Sequence, residues 1–171
     1  EYGDKAKYVG LALNSLGLDK GDVVSIASEG IPEWLFTDLG VICVGGISSG
    51  VYTTDSSSQV EYLVNDSKTS FYFAENEEQL DKILEVRDNC PSLKKIIIYD
   101  LEGLHDFSDP QVISFSELIN LGEKIDKNNP ELFESLMTKV SPEDIAILVY
   151  TSGTTGPSKG AMISNNNIVY S

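Results

Sequence analysis

The sequence predicts an α/β protein: a three-layer α/β/α arrangement around a mainly parallel sheet. Three observations carry that prediction. Short apolar, β-branched runs recur along the 171 residues, and such runs read as strands buried on both faces. Segments with helical periodicity or helix-start signals separate most of them, the pattern of βαβ units. No internal repeat appears along the chain.

The elements follow in order. Val9, Ala12, Leu13 and Leu16 fall at i, i+3, i+4 and i+7, one face of a first helix, and Gly17 stands where a left-handed cap ends it. Val23 to Ala27 is the first strand, after a Lys20-Gly21-Asp22 turn. Pro32 and Glu33 suit the first turn of a second helix running to about Val44, because proline needs no amide partner there and a carboxylate favours the positive end. Gly45-Gly46 stops it, and Ile47 to Tyr52 returns as a strand. Ser58 to Glu61 reads as a capping box opening a short helix with Val60, Leu63 and Val64 inward. Phe71 to Ala74 is a strand whose aromatics belong to the core, and Glu75 to Asn89 is an amphipathic helix with a solvated acidic face. Lys95 to Tyr99 is again strand-like.

Between Asp100 and Val140 the signals weaken. Ser114 with Glu117 predicts a capped helix, Lys124 to Pro130 a polar connector, and Pro130 the start of another short helix. Ser141 to Asp144 reads as a further cap and helix start before a strand over Ile145 to Tyr150.

Composition narrows the function. With 41% hydrophobic and 23% charged residues the chain is that of a soluble globular protein, one domain by length. A net charge of −15 argues against nucleic acid as a partner, since that binding rests on neutralising phosphates. Cys43 and Cys90 have no metal-ligand spacing and are too few for a disulfide scaffold, which fits a reducing, cytoplasmic setting. Cys43 and Trp34 read as packing residues, and the lone histidine, His105, as part of an exposed turn.

The chemistry concentrates after the last strand, in Thr151-Ser152-Gly153-Thr154-Thr155-Gly156-Pro157-Ser158-Lys159-Gly160. Glycines let backbone amides approach an anion closely and form a nest around it. Hydroxyls add donors or magnesium ligands, and Lys159 adds a point charge. A Walker A loop is disfavoured: it needs glycine before the lysine and a hydroxyl residue after, whereas Ser158 precedes Lys159 and Gly160 follows. Such a loop at a strand's carboxyl end is where open α/β sheets bind ligands.

This segment resembles the phosphate-binding signature of the adenylate-forming, AMP-binding superfamily, departing from its common form at Pro157 and Ser158. Downstream, Asn165 stands where relatives often have histidine. Pro32 to Gly40, Gly45-Gly46, Tyr52-Thr53-Thr54 and Glu78 to Arg87 look like the long-chain fatty acyl-CoA ligase branch. The resemblance implies the following. Residues 1–171 are part of the large N-terminal domain of a ligase that activates a fatty acid as acyl-AMP with ATP and Mg²⁺, then passes it to CoA. Thr151, Ser152, Gly153, Thr154, Thr155, Gly156 and Lys159 bind the polyphosphate, with Thr151 also a magnesium ligand and Lys159 the catalytic charge. Turnover is not expected from the 171 residues alone, and peripheral docking on a membrane is compatible with a lipid substrate. Two alternatives stay open: another adenylate-forming branch, acylating a carrier protein or serving a carboxylic acid reductase, and a nucleotide-binding module without chemistry.

Overall fold

The computed structural model describes residues 2–151 and 157–169. Its elements run α1 (Tyr2–Ser15), β1 (Val23–Ala27), α2 (Pro32–Cys43), β2 (Ile47–Val51), α3 (Ser57–Ser67), β3 (Thr69–Ala74), α4 (Glu77–Val86) and β4 (Lys95–Ile98). Then come β5 (Val112–Ser114), α5 (Phe115–Asn128), α6 (Leu132–Met137), β6 (Ile145–Thr151), β7 (Lys159–Ser164) and α7 (Asn165–Val169). The described strands form one sheet in the order β5-β4-β3-β1-β2-β6-β7. All pairs are parallel except β6–β7, which is antiparallel.

The chain path explains the layers. From the central β1 it steps to β2 through α2, returns past β1 to β3 through α3, moves outward through α4 to β4, and then reaches β5. It comes back through α5 and α6 to β6, beside β2. Right-handed crossovers require the helices to change faces whenever the direction reverses. Accordingly α1, α2 and α5 share one face with Val24, Ile26, Phe71, Phe73 and Ile97. Helices α3 and α4 share the other with Ala27, Tyr72, Ala74, Ile96 and Ile98. Successive strand residues thus feed opposite cores, and β1 and β3 are buried at every position.

Helix ends follow local chemistry. Gly17 takes φ +103°, the left-handed geometry expected after the first helix. Ser114 is extended and caps α5 with Glu117 as a reciprocal box. Two helices differ from the sequence reading. The capping box of α3 is Ser56 with Gln59, not Ser58 with Glu61: the S-x-x-Q spacing two residues earlier meets the helix where the backbone leaves the Thr53–Asp55 turn. Helix α4 begins only at Glu77, capped by Asn76. Glu75 is tied to the end of β1 instead, accepting from the Ser28 hydroxyl (3.0 Å) and the Glu29 amide (2.5 Å).

The weakly patterned region differs further. Helix α5 continues through most of the expected connector, because Leu118 and Gly122 are buried and Lys7–Asp126 (2.5 Å) and Lys127–Glu123 (2.8 Å) flank them. Gly122 is obligatory, since a Cβ there would lie 2.0 Å from the carbonyl oxygen of Tyr8 on α1. Ser141 to Asp144 forms a turn rather than a helix. The Asp144 carboxylate accepts from the Ser141 amide (2.7 Å) and pairs with Lys20 (2.6 Å), leaving no length before β6 begins. The Lys20 ammonium first, then the Ser141 amide, holds the Asp144 carboxyl below its ordinary range. Strand β5, three residues long, carries too short a pattern to be read in advance.

Candidate nucleotide-binding site

The site is built on the last two strands. In β6, Leu148 and Tyr150 point into the core beneath α3, while Val149 and Thr151 face outward and are exposed. The antiparallel register sets Thr151 opposite Lys159, Tyr150 opposite Gly160, Val149 opposite Ala161 and Leu148 opposite Met162. Directly opposed residues share a face of the sheet. Thr151 and Lys159 therefore stand together at the mouth of the hairpin, both exposed. Ser152, Gly153, Thr154, Thr155 and Gly156 lie outside the described residues.

The base of the hairpin is closely fitted. A Cβ on Gly160 would meet Leu148 Cδ1 at 2.7 Å and Tyr150 Cζ at 3.4 Å, so the Tyr150 ring rests against the glycine backbone. That ring donates its hydroxyl to Asp66 Oδ2 on α3 at 2.7 Å. Burial first, and the Asp66 carboxylate second, push the Tyr150 phenol above its ordinary value, so it is a neutral donor. Tyr62, one turn earlier on α3, donates to the carbonyl oxygen of Ser158 at 2.9 Å.

The segment that forms the hairpin differs in charge from the rest of the chain. The chain carries 27 acids, yet Ile145 to Ser171 contains none, and Lys159 is its one cation. Among the described residues Lys159 has no ion-pair partner. Among the described residues no group of three or more His, Cys, Asp or Glu could hold a metal.

Beside the hairpin, at the carboxyl ends of β1, β2 and β6, lies a cleft of about 520 Å³ walled by Trp34, Tyr52 and Val149, with Ser28 and Glu29 on its rim. Trp34 does pack against the core as expected, and it also forms this wall. The cleft was not legible in advance because its walls, from α2, the end of β2 and β6, are far apart in sequence. Asn165, at the position where histidine was expected by resemblance, is used structurally: its amide donates to the carbonyl oxygen of Ser141 at 3.1 Å. His105 lies in an exposed turn, and Cys43 is half-buried, its thiol pushed up by burial.

The strand-end hairpin, with Thr151 opposite Lys159 at its mouth, stands on a mainly parallel sheet with helices on both sides, an α/β domain. The chain belongs to the AMP-binding enzyme family, whose model it matches over residues 1–171. It is 33% identical over 165 residues to a rat long-chain-fatty-acid–CoA ligase, ACSBG1, covering 96% of this chain and 22% of that relative. The match to ACSBG2 of Xenopus laevis is 33% over 170 residues, covering 99% and 22%. Among solved structures it is similar to the anthranilate CoA ligase AuaEII in complex with anthranoyl-AMP, with a TM-score of 0.80, 26% identity and coverage of 96% of this chain and 29% of that one. The N-terminal domain of FACL13 from Mycobacterium tuberculosis shares the fold at a TM-score of 0.73 and 21% identity, over 96% of this chain and 36% of that one. The chain spans about a fifth of the length of the curated relatives it matches. Among the described residues no helix is long and apolar enough to cross a membrane.

Proposed function

We propose that residues 1–171 are part of the N-terminal AMP-binding domain of an ATP-dependent long-chain fatty acid–CoA ligase. The whole enzyme would join a fatty acid to ATP, giving acyl-AMP and pyrophosphate, and then transfer the acyl group to the CoA thiol with release of AMP. The single observation that carries this reading is the pairing of Thr151 with Lys159 at the mouth of an acid-free hairpin. The long-chain-fatty-acid–CoA ligase names of relatives that match nearly the whole chain support it.

In this reading the segment from Thr151 to Gly156 together with Lys159 takes the β- and γ-phosphates of ATP. Transfer at phosphorus depends mainly on positioning and on neutralising charge that develops in the transition state. Lys159 supplies that neutralisation for the departing pyrophosphate, where its ammonium is not already paired. Magnesium, when bound, would draw charge from the phosphate oxygens, with Thr151 as its protein ligand. CoA and the fatty acid are co-substrates, and the cytoplasm, with peripheral contact to membranes that hold the lipid, is the compartment that suits them.

Pyrophosphate release from ATP and palmitate tests the proposal. The complete ligase is expected to turn over, and the 171-residue chain is not. Lys159→Ala in the complete ligase should weaken ATP use by up to about 3 kcal/mol, the scale for loss of one positioned charge. Wild-type adenylate formation by that variant would remove the assignment. Thioester formation on CoA, rather than on a carrier thiol, separates this branch from other adenylate-forming ligases.

A further inference from the structure

Tyr62 and Asp66 lie four residues apart on α3, so they project from the same face of the helix. They reach both strands of the hairpin. Tyr62 donates to Ser158 just before β7 begins, and Asp66 accepts from Tyr150 one residue before β6 ends. These contacts bridge 96 and 84 residues of sequence, so nothing local imposes them. The helix behind them is itself held firmly. Val60, Leu63 and Val64 are buried, Ser56 and Gln59 close its first turn, and Ser57 bonds Glu85 on α4. Gly160 completes the fit, because a Cβ there would lie 2.7 Å from Leu148 Cδ1, beside the Tyr150 ring that reaches Asp66.

We infer that Tyr62 and Asp66 are positioning residues that clamp the end of β6 and the start of β7 to α3, setting where Thr151 and Lys159 stand for a polyphosphate. The inference deepens the proposed function and rests on it for the identity of the ligand; the clamp itself rests only on the geometry. Two contacts from a single rigid turn fix the separation and the twist of the strand ends. Gly160 then serves space rather than backbone freedom. Lys159, between Ser158 and Gly160, inherits its position from both contacts.

Amide hydrogen exchange on the 171-residue chain tests the clamp without any activity. Tyr62→Phe removes one hydroxyl and keeps the ring; Asp66→Ala removes the acceptor; Asp66→Asn keeps an acceptor oxygen. Exchange in the β6 and β7 peptides should quicken about 3- to 10-fold in the first two, the size of one net hydrogen bond, and recover in Asp66→Asn. Peptides from β3 and β4 should not change. Unaltered hairpin exchange in the first two variants overturns the clamp, as does acceleration spread evenly over the chain or equal acceleration in Asp66→Asn. In the complete ligase the same two variants should raise KM for ATP about 3- to 10-fold and leave KM for the fatty acid unchanged. An unchanged KM for ATP overturns the positioning role. Lys159→Ala separates the two ideas: full ATP use by that variant ends the phosphate reading, while the exchange pattern still decides the clamp.

Discussion

The centre of the sheet and its β6–β7 margin are made of similar residues and behave differently. In β3 and β4, Phe71 to Ala74 and Ile96 to Ile98 are buried, because helices cover both faces. In β6 the run Ile145 to Tyr150 is just as apolar, yet alternate positions are half-buried or exposed, and Val149 is 37% exposed. Met162 on β7 is 70% exposed. The difference lies in neighbours: β6 packs beneath α3 on one face, while the positions on its other face are half-buried or exposed among the described residues. Tightly packed regions are expensive to alter. The candidate site sits on that margin.

The contrast can be broken most forcefully at Gly122. Gly122→Ala forces a methyl group against the Tyr8 carbonyl and should cost about 3 kcal/mol or more, seen as a lower midpoint in urea unfolding. Ile97→Ala, at the centre of β4 and fully buried, should cost about 3 kcal/mol by the same measurement. If either were near neutral, the centre would not be the packed region described.

Smaller effects sharpen the comparison. Ser114→Ala should cost about 1 kcal/mol by removing the cap of α5. The Ser114 hydroxyl and then its amide hold the Glu117 carboxyl below its ordinary value. A depressed carboxyl contributes stability that is complete above its unfolded pKa and is lost as pH falls through its folded pKa. The capping contribution should therefore fade in acid, and Glu117→Gln should flatten that part of the urea-midpoint profile by less than about 1 kcal/mol, since the group is exposed. Met162→Thr, on the margin, should change stability by no more than about 0.5 kcal/mol. A cost several times larger would mean the margin is packed after all.

Most of the scaffold was legible residue by residue. The double-sided burial of Phe71 to Ala74 shows as an unbroken apolar run, and Ser114 with Glu117 shows as a capping box. Where reading failed, two local solutions competed, as at Ser56 against Ser58, or a pattern was too short, as at Val112 to Ser114. For the site, Thr151 and Lys159 could be named from residue type and spacing. Their opposition across a ladder could not, because it depends on the register in which β6 and β7 pair. Tyr62 and Asp66 carried no signal, being ordinary polar positions on an amphipathic helix.

By itself the sequence determined the alternation of strands and helices, the cap residues and the hydroxyl- and glycine-rich loop that ends in lysine. Each of these is set by interactions reaching only a few residues along the chain: side-chain periodicity, local hydrogen bonds and backbone preference. The strand order, the uncovered margin, the three-walled cleft and the grip of α3 on the hairpin were decided only by the tertiary structure. The grip joins residues 84 and 96 positions apart, and contacts at such range exist only once two cores have closed around one sheet.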